Sequence, residues 1–174
     1  MSTSQILLRA YYERLHELMT ARRAALVSHV DTLLEAEIVE RGFAGMDYEK
    51  VAAYREACVA FVDERLESYN PIGIQYTFGR STSRRAAELE FQLNWYDSRS
   101  EFADLVAAAR SLVSAGVPEE MLMERADLLI QQASAFPDRS IIRAYRQEPA
   151  LQKLPDYIVA RAIEQVICGR TSLD

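Results

Sequence analysis

Histidine, cysteine and lysine each occur only twice in this chain of 174 residues. Two histidines, His16 and His29, leave few general bases near neutral pH and few ligands for a transition metal. Cys58 and Cys168 lie far apart, each in an apolar helical setting (AYREACVAFV and IEQVICGR). They read as reduced packing residues, because no export signal directs the chain to an oxidising compartment. The first residues, MSTSQILLRAYYERLHELM, lack the apolar core and small-residue cleavage pattern of a signal peptide. No apolar run approaches the ~20 residues that cross a bilayer. The expectation is a cytoplasmic protein without membrane contact.

Glycine and proline are scarce, at six and five, so low-complexity and fibrous classes are excluded. About half the residues are apolar and a quarter charged, the balance of an ordinary globular protein. The length suits one domain, residues 1–174, with a substantial core. The net charge of −6 argues against nucleic acid as a partner, since that binding needs a basic surface. Lys50 and Lys153 are the only lysines, so nearly all positive charge is arginine. A GC-rich bacterial coding sequence produces such a bias, and it supplies planar donors for carboxylate or phosphate.

Apolar spacing predicts helices almost throughout. The first runs from near Ser4 toward Glu40, about ten turns, with Gly42 as its stop. Leu8, Tyr12, Leu15, Met19, Leu26 and Leu33 form its stripe, widened by Leu18, Val30 and Ile38. A second helix covers Tyr48–Ser68 and ends at Asn70-Pro71, since a residue before proline avoids the helical region. A third opens at Ser81–Ser83 and continues through Trp95. Ser98-Arg-Ser-Glu101 fits a capping box for a fourth, which stops at Gly116. Pro118 with two acids starts a fifth helix to about Ala135. Pro137-Asp138 opens a short sixth, and Pro155-Asp156 opens a last one that ends at Gly169. The fold class is all-α, a bundle of about six or seven helices with one long N-terminal helix.

One segment departs from this pattern. In NPIGIQYTFGRSTSRR, residues 70–85, Ile72, Ile74, Tyr76 and Phe78 alternate with Gly73, Gln75, Thr77 and Gly79. A period of two places the large apolar groups on one face of an extended strand. No second such segment is visible. The strand could pair with its own copy across a two-fold axis, add to the sheet of another protein, or press onto the helices as a loop.

The chemistry-bearing patterns are few. Glu13-x-x-His16 matches half of a di-iron pattern, but His29 has Leu26 three residues before it, so no second pair completes the site. No metal or cofactor is expected. A P-loop, a G-x-S-x-G elbow, an H-E-x-x-H pair and a dinucleotide glycine fingerprint are all missing. Abundant carboxylates do not make a site, and enzyme activity has no support.

Two arginine sets remain. Arg80, Arg84 and Arg85 flank Ser81, Thr82 and Ser83 at the third helix start, where free N–H groups and the helix dipole favour an anion. An ordinary helix cap with arginines paired to Glu88 or Glu90 explains the same residues. Arg139, Arg143 and Arg146 are spaced four and three apart and share one helix face, with Tyr145 pointing elsewhere. A solvated face near Asp138 and Glu148 is the plain alternative. The reading is a small acidic protein that binds another macromolecule, a protein partner, as an adaptor, regulator, immunity protein or inhibitor, with homodimerisation through the long first helix. Tyr76, Phe78, Arg80, Arg84 and Arg85 would form its recognition surface. The alternative is a binder or enzyme for a phosphate-bearing ligand held at Gly79–Arg85, with Tyr96 or a buried carboxylate serving the chemistry.

Overall fold

A computed structural model describes residues 3–41, 45–69, 103–132, 136 and 138–170. They form seven α-helices: α1 (Thr3–Ala21), α2 (Arg23–Glu40), α3 (Tyr48–Ser68), α4 (Ala103–Ala115), α5 (Glu119–Gln132), α6 (Arg139–Gln147) and α7 (Leu154–Val166). A 3₁₀ turn, Leu151–Lys153, leads into α7. No strand occurs among the described residues, and the fold is an all-α bundle. No described helix is long and apolar enough to cross a membrane. The alternating strand-like segment and the predicted third helix lie outside the described residues.

The long N-terminal helical run is present as α1 and α2, parted by a single non-helical residue. Arg22 has φ −113° and ψ 16°, and its N–H donates to the Met19 carbonyl in a tighter turn. Leu7, Tyr11, Leu15 and Met19 are buried at intervals of four, and so are Leu26, Val30 and Leu34. Tyr12 and Leu33, expected on the core stripe, are only half-buried. Asp47 caps α3, its carboxylate accepting the Lys50 backbone N–H at 2.8 Å. Gly116 and Gly169, with φ +62° and +67°, turn the chain after α4 and α7 in the left-handed region that only glycine enters without strain.

The chain divides into two compact units, each built from two separate stretches: residues 1–18 with 67–137, and residues 19–66 with 138–174. In the first, Leu7, Ala10, Tyr11 and Leu15 of α1 are buried, as are Leu122, Ala126, Leu129 and Ile130 of α5. Tyr12 stands edge-on to Tyr11 and lies against Tyr69 at 5.9 Å between ring centres. Arg14 Nε donates to Asp127 at 2.8 Å, tying α1 to α5.

The second unit is organised around α7, which packs on α2, α6 and the 3₁₀ turn. Ten consecutive or near-consecutive α7 residues are buried, from Leu154 to Glu164 with Asp156 as the exception. A helix that is apolar on nearly every face must be enclosed by its neighbours. Each fully buried Leu, Ile or Val contributes about 1.5–3 kcal/mol, so this helix dominates the stability of the unit. Pro155 sits in the first turn, where its missing N–H costs nothing, and Arg22 Nη1 donates to the Val166 carbonyl at the other end at 2.8 Å.

Candidate functional site

The polar residues of α7 are what distinguish this core. Arg161 and Glu164 are one turn apart, each side chain 4% exposed, and are joined by an Nη1–Oε2 bond of 2.8 Å. Arg139 approaches the same carboxylate from α6, Nε to Oε1 at 3.8 Å. Two guanidinium groups therefore share one buried carboxylate. A charge this deep is tolerated only with a partner, which is why the three residues occur together.

Arg170 joins them through the backbone. The left-handed Gly169 reverses the chain, and the Arg170 N–H donates to the Glu164 carbonyl at 3.2 Å. Arg143 and Arg146 extend the group along α6. The Arg139 guanidinium is held below its ordinary pKa, first by burial and then by the positive charge of Arg170, against opposition from Glu164, with smaller lowering effects from Arg143 and Arg146. Arg139 thus feels the charge of the other three arginines. Arg9, Arg14, Arg23, Arg41, Arg55 and Arg65, by contrast, each hold a carboxylate. Arg143 and Arg170 have no carboxylate within ion-pair distance among the described residues. Of the two acids expected to neutralise the face, Asp138 pairs with Arg65 at 3.3 Å and Glu148 with Lys153 at 3.9 Å.

A second polar group lies between α2, α6 and α7. Glu37 continues the buried Leu26, Val30, Leu34 stripe and is 8% exposed. Arg41, one turn on, bonds it at 3.1 Å and stands 5.2 Å from the centre of the Tyr145 ring. Tyr145 stacks on Tyr157 at 4.1 Å. Its hydroxyl is buried near the Glu37 carboxylate but makes no well-formed hydrogen bond among the described residues. Burial, and then the nearby Glu37 carboxylate, push its pKa up to about 12. Tyr157 is raised for the same two reasons, against opposition from Arg161, Arg146 and Arg41.

The thiols are passive. Cys58 and Cys168 are free and buried, and burial first pushes both up to about 12. A thiol this far from ionisation is a poor nucleophile at neutral pH. Glu13, half of the di-iron fragment, is held by Arg9 at 2.6 Å, and His29 Nε2 pairs with the Gln165 amide oxygen.

Of the residues singled out from the sequence, Arg139, Arg143 and Arg146 lie on α6 in the second unit, and Tyr145 is buried away from them. Tyr76, Phe78, Arg80, Arg84 and Arg85 lie outside the described residues. Arg170, Arg161 and Glu164 were missed. The available signal was a cation directly after a helix-ending glycine, and a helix whose few polar residues sit among apolar ones on every side. No family model, curated protein or solved structure matches the chain. The fold and the site define a class only: an all-α protein that gathers arginine around a buried carboxylate.

Proposed function

We propose that this chain is a binding protein whose partner is another macromolecule with an acidic surface. The observation that carries the reading is the contrast between its arginines. Eight are matched to carboxylates, while Arg143 and Arg170, whose charge is felt at Arg139, have none within ion-pair distance among the described residues. In an acidic chain, positive charge collected on one face costs self-repulsion that a complementary partner relieves. Such a face steers encounter with an acidic protein and sets its register. Tyr76, Phe78, Arg80, Arg84 and Arg85 are proposed to widen the same recognition function, in a cytoplasmic protein that also self-associates.

The test is charge reversal. Full-length protein carrying Arg143→Glu is compared with wild type for capture of partners from lysate over a salt series. Loss of a specific partner, together with a flatter salt dependence for what remains, is expected. Identical partners with an identical salt slope would remove the arginine face from the function.

A further inference from the structure

Two helices of the second unit carry the same motif. RAALVSHVDTLL, residues 23–34 in α2, and REACVAFVDERL, residues 55–66 in α3, both read R-x-A-x-V-x-x-V-D-x-x-L. The match extends to how the residues are placed. Leu26 and Val30 are buried in α2, as are their counterparts Cys58 and Val62 in α3. Between them each helix has one exposed residue, Ser28 or Ala60, flanked by half-buried ones.

The charged positions of the two motifs hold each other. Arg23 grips Asp63 by two bonds, Nε to Oδ1 at 2.6 Å and Nη2 to Oδ2 at 2.7 Å. Arg55 grips Asp31 through the same atoms, at 2.6 and 2.8 Å. The first residue of each motif therefore meets the ninth of the other, the relation of two antiparallel helices about a local two-fold axis. Parallel alignment in the same register would set arginine against arginine and aspartate against aspartate, so the pattern selects the antiparallel arrangement. A motif that pairs with an inverted copy of itself is self-complementary. It does not distinguish the copy in its own chain from the copy in another.

We propose that the α2–α3 pair is a self-recognition unit whose fitting partner is a second copy of this chain, with α2 of each molecule pairing with α3 of the other. The inference deepens the self-association proposed above and rests on it. Each bridge given up within a chain is remade between chains, so the exchange loses no ion pair and is favoured by rising protein concentration. The forked arginine–aspartate bonds fix the register in both arrangements.

The experiment reverses the motif one helix at a time in the full chain. Arg23→Asp/Asp31→Arg reverses α2, and Arg55→Asp/Asp63→Arg reverses α3. Alone, each variant sets like charges opposite each other at both bridges, within one chain or between identical chains. Mixed, the two variants match at every bridge only when they exchange helices with each other. They are unfolded in urea, combined and refolded, one of them isotopically labelled because both keep the wild-type mass, and native mass spectrometry separates the species. A heterodimer in about tenfold or greater excess over either homodimer is expected, since its exposed bridges, each of modest worth, all change from mismatched to matched. The wild type is expected to pass from monomer to dimer as its concentration rises. A chain carrying all four substitutions restores both bridges within itself and is expected to equal the wild type in thermal stability and in mass; a chain that stays as unstable as the two-substitution variants would overturn the equivalence of the two helices. A mixture without heterodimer would overturn the proposal. Statistical mixing beside a wild-type dimer refutes the exchange and leaves self-association standing, whereas a wild type that is monomeric at every concentration removes both. None of the four residues is Arg143, so the acidic-partner reading stands or falls by its own assay.

Discussion

Replacing Glu164 with glutamine is expected to destabilise the second unit severely, although the change alters neither volume nor shape. Arg161 and Glu164 are each 4% exposed at the side chain and 2.8 Å apart. At an effective dielectric of about 20, unit charges at that distance attract by roughly 6 kcal/mol, before the cost of removing both from water. That cost makes the net worth of the pair small. Removing one partner is different, because the other charge stays buried and uncompensated, at about 3–5 kcal/mol. For a chain of this length each kcal/mol lowers the melting temperature by about 2–4 °C, so a fall of roughly 10 °C is expected. Urea unfolding followed by far-UV circular dichroism measures the loss, provided the slope with denaturant is unchanged. The double variant Arg161→Met/Glu164→Leu removes both buried charges, leaves only the partly exposed Arg139 without this carboxylate, and is expected to recover part of the stability. Arg23→Gln, breaking an exposed pair with Asp63, serves as the surface control and is expected to change little. A Glu164→Gln protein within about 1 kcal/mol of wild type would refute the reasoning. So would a double variant no more stable than the single one.

Two further outcomes follow from other parts of the chain. Tyr145 has a folded pKa of about 12 against an ordinary 10, so its contribution is intact below pH 10 and is lost as pH rises toward 12; the buried thiols act in the same direction from pH 9 upward. Tyr145→Phe, which deletes a buried hydroxyl with no well-formed hydrogen bond among the described residues, is expected to flatten the alkaline decline and to be neutral or stabilising near pH 7; an unchanged slope of unfolding free energy against pH would contradict this. For the alternating segment, solution mass is compared between wild type and Tyr76→Asp/Phe78→Asp: a dimer that becomes monomeric supports self-pairing, and two equally stable monomers end that hypothesis.

Helix existence was legible because local chemistry decides it. Gly116 and Gly169 stand just past their helices with positive φ, and Pro118 and Pro155 stand at the starts, as sequence rules require. The interruption at Arg22 was not legible, since TARRA contains no helix breaker and the turn there depends on packing. The core face runs through Tyr11 and Leu34, with Tyr12 and Leu33 half-buried beside it. The spacing of Arg139, Arg143 and Arg146 could be read directly from helical geometry. Their neighbours could not, because Arg161, Glu164 and Arg170 are brought near them by tertiary contact. Glu37 illustrates the same limit: a carboxylate on a helix reads as solvated, yet here it continues the buried stripe of α2.

The second unit is assembled from pieces that are far apart in the order of synthesis. On a ribosome, the Leu26, Val30 and Leu34 face of α2 emerges early, while α7, the helix that covers it, is made only after the whole 67–137 stretch. Throughout that interval the growing chain carries an apolar ridge that α7 has yet to cover. The unit therefore completes only once α7 is made, and a nascent chain stalled before then exposes apolar surface of the kind that chaperones and proteases engage.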